Sequence, residues 1–153
     1  MKKTIIVLVI IVVGTVKSNA QSEYKFSGGI GLDLGSGSNM FGLTAKCFLA
    51  EEHAVQGEFL FESGVTILNA FYKYHSNISD VEGLNWFAGG GLSVLFIDDF
   101  GTEIALRPTG GVEYKISGAP LTVSLDWRPF IGLGDVLGNE LGSFGVGLRY
   151  IMK

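Results

Sequence analysis

Nine ionisable residues fall inside stretches that otherwise alternate between apolar and polar side chains: Asp33, Lys46, Glu58, Lys73, Arg107, Glu113, Asp126, Arg128 and Arg149. Acids and bases brought together in this way either pair with one another and fill an interior, or line a gated pore or a catalytic site. Other residues offer more specific chemistry. His75 beside Ser76 supplies a base and a hydroxyl. Ester hydrolysis needs both on one face, and neighbours in a strand point to opposite faces. By the same parity His75 points inward. Asp98, Asp99 and Glu103 could ligate a divalent cation, or form a solvated acidic loop. Gly89-Gly90-Gly91 has no helix after it, which a phosphate-binding loop requires, so these glycines read as room within a tight strand. His53 and His75 are the only histidines and are too far apart in the pattern for a zinc site. Cys47, the single cysteine, has no internal disulfide partner. No catalytic set, metal site or cofactor is expected, and the nine charges are the candidate site.

The elements that must position these charges follow from a period of two. Tyr24, Phe26, Gly28, Ile30, Leu32 and Leu34 form one series, and Lys25, Ser27, Gly29, Gly31 and Asp33 the other. The pattern recurs seven times, over about 40–50, 54–62, 65–75, 84–97, 103–115, 121–130 and 143–152. Gly-, Ser- and Asp-rich connections separate the runs, with a Gly-rich loop over 131–142. Short connections force antiparallel neighbours. The expected fold is all-β: an eight-stranded antiparallel up-and-down barrel.

Residues 1–20 read differently. Lys2 and Lys3 precede the apolar run Ile5–Val13, and Ser18 and Ala20 give a small-x-small cleavage pattern. This is the pattern of a secretory signal peptide cleaved after Ala20, leaving 21–153 as one barrel domain. The nine-residue run is short of the roughly 20 residues of a spanning helix. Removing Lys2, Lys3 and Lys17 leaves 8 basic and 15 acidic residues, a net charge of −7, which gives no basis for nucleic-acid binding.

Alternation alone fits a soluble barrel with an apolar core as well as a membrane barrel with a polar lumen. The aromatics favour the membrane. When the strands are threaded up and down, Tyr24, Tyr72, Tyr74, Trp86, Tyr114 and Tyr150 fall at one rim. Phe41, Phe61, Phe96, Trp127 and Phe144 fall toward the other. Two aromatic belts around an aliphatic band suit a bilayer. The charges then face the lumen. A turn centred near Glu52 sets Lys46 across from Glu58, and a loop centred near 137 sets Asp126 beside Arg149, so both pairs are expected as salt bridges.

The last strand carries a further motif. Ser143-Phe144-Gly145-Val146-Gly147-Leu148-Arg149-Tyr150 matches polar, any, Gly, any, any, apolar, any, aromatic, with Ile151, Met152 and Lys153 extending beyond it. Ser143, Gly145, Leu148 and Tyr150 thus resemble an outer-membrane assembly signal. Over about 24–152 the chain resembles the small bacterial outer-membrane β-barrel superfamily, which includes the OmpA transmembrane domain, OmpX and OmpW. The resemblance implies residence in the outer membrane and contact with its lipid. It also implies folding by the barrel-assembly machinery with periplasmic chaperones. A monomer with a structural or envelope-stress role, and no catalysis, is the leading expectation. A narrow path for a small or apolar solute is the alternative, resting on small inward residues such as Gly29, Gly31, Gly145 and Gly147. A weaker alternative is a lipid A-modifying enzyme, since His75-Ser76-Asn77 resembles the His-x-Ser-Asn motif of some outer-membrane deacylases.

Overall fold

The computed structural model describes residues 24–35 and 37–152, and the expected leader with its cleavage after Ala20 lies outside them. The chain forms β1 (Phe26–Leu34), β2 (Asn39–Phe48), β3 (His53–Glu62), β4 (Val65–Asn77), β5 (Leu84–Ile97), β6 (Gly101–Lys115) and β7 (Leu121–Trp127). Two short strands follow, β8 (Phe130–Gly132) and β9 (Asn139–Glu140), and β10 (Phe144–Met152) ends the described chain. Consecutive long strands pair antiparallel, and β10 pairs with both β1 and β7, so eight long strands close into an up-and-down barrel. Closure leaves no edge among them for another chain to extend.

The connections are as tight as the composition suggests. Glu62 pairs with Val65, and Gly64 completes that two-residue turn with φ 80°, a conformation L side chains rarely adopt. Within the wall, Gly89 approaches β4 so closely that a Cβ would overlap the Tyr72 carbonyl oxygen. Gly57 has open space at the corresponding position. Gly89→Ala should therefore destabilise the barrel by about 3 kcal/mol. Gly57→Ala should stay within about 0.5 kcal/mol. Urea titration of the two refolded variants against the parent checks the contrast.

The seventh strand differs from the continuous run expected over 121–130. Gly110↔Trp127 and Leu106↔Ile131 share one register, so β8 continues β7 after a break at Arg128-Pro129. That register sets Pro129 opposite Pro108, and neither proline has an N–H to donate to the ladder. Beyond the break, 131–142 is not simply a loop: Phe130↔Glu140 and Ile131↔Asn139 make a small hairpin. Leu137 on the hairpin and Phe130 at its base pack against an apolar cluster inside the barrel, formed by Met40, Leu60, Ile67, Leu95 and Ala105.

Burial is inverted relative to a soluble barrel. The outer wall is apolar: Leu43 is 65% exposed, Leu125 52% and Leu148 42%. All nine charged residues of the candidate site are buried, Lys46 and Arg149 to 1% exposure.

Candidate functional site

The inward residues stack in layers between the two ends of the barrel. Nearest the end that carries the 35–38, 63–64, 98–100 and 133–143 connections, β1 and β6 bring Asp33 and Arg107 together. Arg107 donates through Nη1 and Nη2 to the two Asp33 carboxylate oxygens at 2.5 and 3.2 Å. Ser143 Oγ donates to Asp33 Oδ1 at 2.8 Å and accepts from Arg107 Nη2 at 2.9 Å. Arg107 Nη2 also reaches the Arg128 carbonyl oxygen at 2.9 Å, linking this layer to the next.

Arg128 is the hub of the middle layer. Its Nε and Nη2 donate to the two oxygens of Asp126, both at 2.8 Å, and its Nη1 donates to Glu58 Oε2 at 2.5 Å. Glu58 is on β3 and Asp126 on β7, opposite each other in the ring of strands, so the guanidinium spans the lumen. Arg128 keeps the inward parity of Ser124 and Asp126 across the break in the seventh strand. Gly145 makes room for it, since a Cβ there would overlap the guanidinium. The remaining lone pairs are satisfied locally. Gln56 Nε2 and Asn69 Nδ2 donate to Glu58 at 2.6 and 3.1 Å, and Thr109 Oγ1 donates to Asp126 at 2.7 Å. Ser93 Oγ donates to Asn69.

Glu113 anchors the third layer. Its Oε2 accepts from Lys46 Nζ at 2.5 Å and from Arg149 Nη2 at 2.6 Å, and its Oε1 accepts from the Tyr24 hydroxyl at 2.5 Å. Lys46 on β2 and Glu113 on β6 again lie on opposite sides of the ring. Lys73 sits between these layers: Nζ donates to Gln56 Oε1 at 3.1 Å, lies 3.9 Å from Asp126, and stands 4.3 Å from the Phe87 ring centroid. Phe48, His75 and Phe87 close the far end as a stack of rings, with centroids 4.9 Å and 5.1 Å from His75 to the two phenyl rings.

All nine predicted charges therefore converge, but neither of the two expected pairings forms. Lys46 stands across from Gln56, not Glu58, and its carboxylate is Glu113. The turn sits one residue earlier than the Glu52 centre, which slides the pairing by two and keeps every side chain on its face. Asp126 stands across from Gly145, while Arg149 stands across from Thr122 and pairs with Glu113. The Asp126 partner is Arg128, two residues along its own segment.

Among the aromatics, Tyr72, Trp86, Tyr114 and Tyr150 are exposed at one end of the wall, and Tyr74 is half-buried there. Phe41, Phe61, Phe96, Trp127 and Phe144 are exposed toward the other. Tyr24 departs from its expected outward place. It precedes β1, is not held to the strand parity, and turns inward onto Glu113 and the Phe48 ring at 5.1 Å. His75 is buried while Ser76 beside it is not, so the two do not share a face. No group of three or more His, Cys, Asp or Glu residues among the described residues is placed to hold a metal ion.

The sequence reading missed Phe48, Phe71 and Phe87, and the apolar cluster at the opposite end. The signal was present: Phe48 and Phe71 share the parity of Lys46 and Lys73 on their own strands, and Phe87 that of Asn85 and Ser93. Together they make the interior a polar middle between two apolar ends. No protein-family model matches this chain, and no curated protein matches it.

Proposed function

We propose that this chain is an integral β-barrel of a bacterial outer membrane, a monomer whose lumen is closed by side chains and whose role is structural in the envelope rather than catalytic. The observation that carries this reading is the inverted burial: a wall of exposed Leu, Ile, Val and Phe around fully buried Lys, Arg, Asp and Glu. Such a wall is costly in water and favourable in lipid, where unpaired backbone is tolerated least and a closed barrel leaves none. An eight-stranded barrel has an interior just wide enough for side chains, and three layers of ion pairs occupy this one. That favours a structural element over a solute path. On this reading Tyr24, Met152 and the 49–52, 78–83 and 116–120 connections lie on the periplasmic side, and the opposite connections face outward. Of the Ser143–Tyr150 motif, Gly145, Leu148 and Tyr150 lie on β10, Leu148 and Tyr150 on the outer wall, while Ser143 precedes the strand.

Expression in a bacterial host, cell fractionation and an unboiled detergent gel test the reading. The protein is expected in the outer-membrane fraction, as a compact band that shifts on heating. Recovery in the soluble fraction would refute it.

A further inference from the structure

The end opposite Tyr24 and Met152 holds a cavity of about 380 Å³. Its size lies within the roughly 300–1,000 Å³ of small-molecule sites. Met40, Ile67, Leu95, Ile97, Phe130 and Leu137 supply apolar walls. The floor is the Asp33–Arg107–Ser143 cluster, in which every carboxylate and hydroxyl oxygen named above is engaged. The Arg128 layer lies below it, so the cavity is blind: it can hold a molecule without passing it through the barrel.

Charge at the mouth selects among molecules with an aliphatic part. Glu62 and Glu140 line the opening. Asp98, Asp99, Glu103 and Asp135 stand on the same end, whose connections carry no lysine or arginine. The lining holds one base, Arg107, paired to Asp33 through Nη1 and Nη2, with its buried Nε making no hydrogen bond. A carboxylate or phosphate head would meet repulsion at the rim, while an ammonium head would be attracted to it.

We propose that this mouth is a binding site for a small cationic amphiphile, with an alkyl chain between the apolar walls and its ammonium end at the acidic rim. The proposal stands on the cavity and its charges and does not require the membrane reading.

The two methionines of the barrel make the test internal. Met40 lines the cavity, and Met152 lies exposed on the outer wall near the other end. The purified barrel, with methyl-labelled methionine in nanodiscs of zwitterionic lipid, is titrated with hexylammonium or with hexanoate near neutral pH. The Met40 methyl resonance should shift saturably with hexylammonium, at concentrations about tenfold lower than with hexanoate, and the preference should shrink as salt rises. Met152, on the outer wall and bordering a second cavity at the other end, reports lipid partition and binding there, and its response should not follow the Met40 saturation curve. Replacing Glu62→Gln and Glu140→Gln together, with folding checked by the heat-shifted band, should bring the two probes within about threefold of each other. Equal Met40 responses in the parent, no saturable Met40 response, or a preference unchanged in the double variant would each overturn the proposal.

Discussion

Replacing Arg128 by methionine should cost the barrel about 3–5 kcal/mol of stability. The guanidinium makes three hydrogen bonds to carboxylates at 2.5–2.8 Å, and both acceptors, Glu58 and Asp126, are buried with it. Methionine preserves much of the volume but leaves two carboxylates facing each other without that charge. Lys73, 3.9 Å from Asp126, is poorly placed to replace it. The loss comes from uncompensated charge rather than from lost packing, so it has a second signature. Adding Glu58→Gln to the Arg128→Met variant should recover part of the stability, because one orphaned charge is removed. The combined effect should then be smaller than the sum of the two single effects. Urea titration of the refolded single and double variants measures both terms. If Arg128→Met alone cost less than about 1 kcal/mol, the network would not be organising the lumen.

Leu43→Arg is expected to have the second largest effect, for the opposite reason. Leu43 is the most exposed large apolar residue of β2, paired with Ile30 on one side and Phe59 on the other. In water, a charged residue at so exposed a position would change stability by no more than about 0.5 kcal/mol. Facing hydrocarbon, it should cost about 2–4 kcal/mol near the middle of the bilayer. Refolding into liposomes should show this loss, while Leu43→Ile should fold like the parent. A Leu43→Arg variant as stable as the parent in lipid would favour a soluble barrel.

The parity of the fold was legible because it is a local property. In β1, Ile30, Leu32 and Leu34 alternate with Gly31 and Asp33, and no longer-range knowledge is needed to assign them to opposite faces. The same holds for Leu125 against Asp126 and Leu148 against Arg149. Partners were less legible, because a lumenal charge finds its counterion across the barrel rather than along the hairpin. Lys46 illustrates this: hairpin arithmetic offered Glu58 on the neighbouring strand, whereas closure brings Glu113 from the far side. Register added to the problem, since a slide of two residues at the 49–52 turn changes the partner without disturbing any face.

Two further features depend on tertiary context. Tyr24 lies outside β1, so alternation did not govern it, and the Glu113 carboxylate together with the Phe48 ring draws it inward. The break at Arg128-Pro129 depends on Pro108 in the facing strand, and only the assembled register shows the two prolines opposite each other.

A spin label at position 43 reports directly what the apolar wall touches. Cys47→Ser removes the native thiol, Leu43→Cys accepts the label, and the barrel is folded into liposomes. Collisions with dissolved oxygen should then far outnumber those with a water-soluble nickel chelate. A nickel collision rate equal to that of a label on an aqueous loop would place the wall in water and contradict the account.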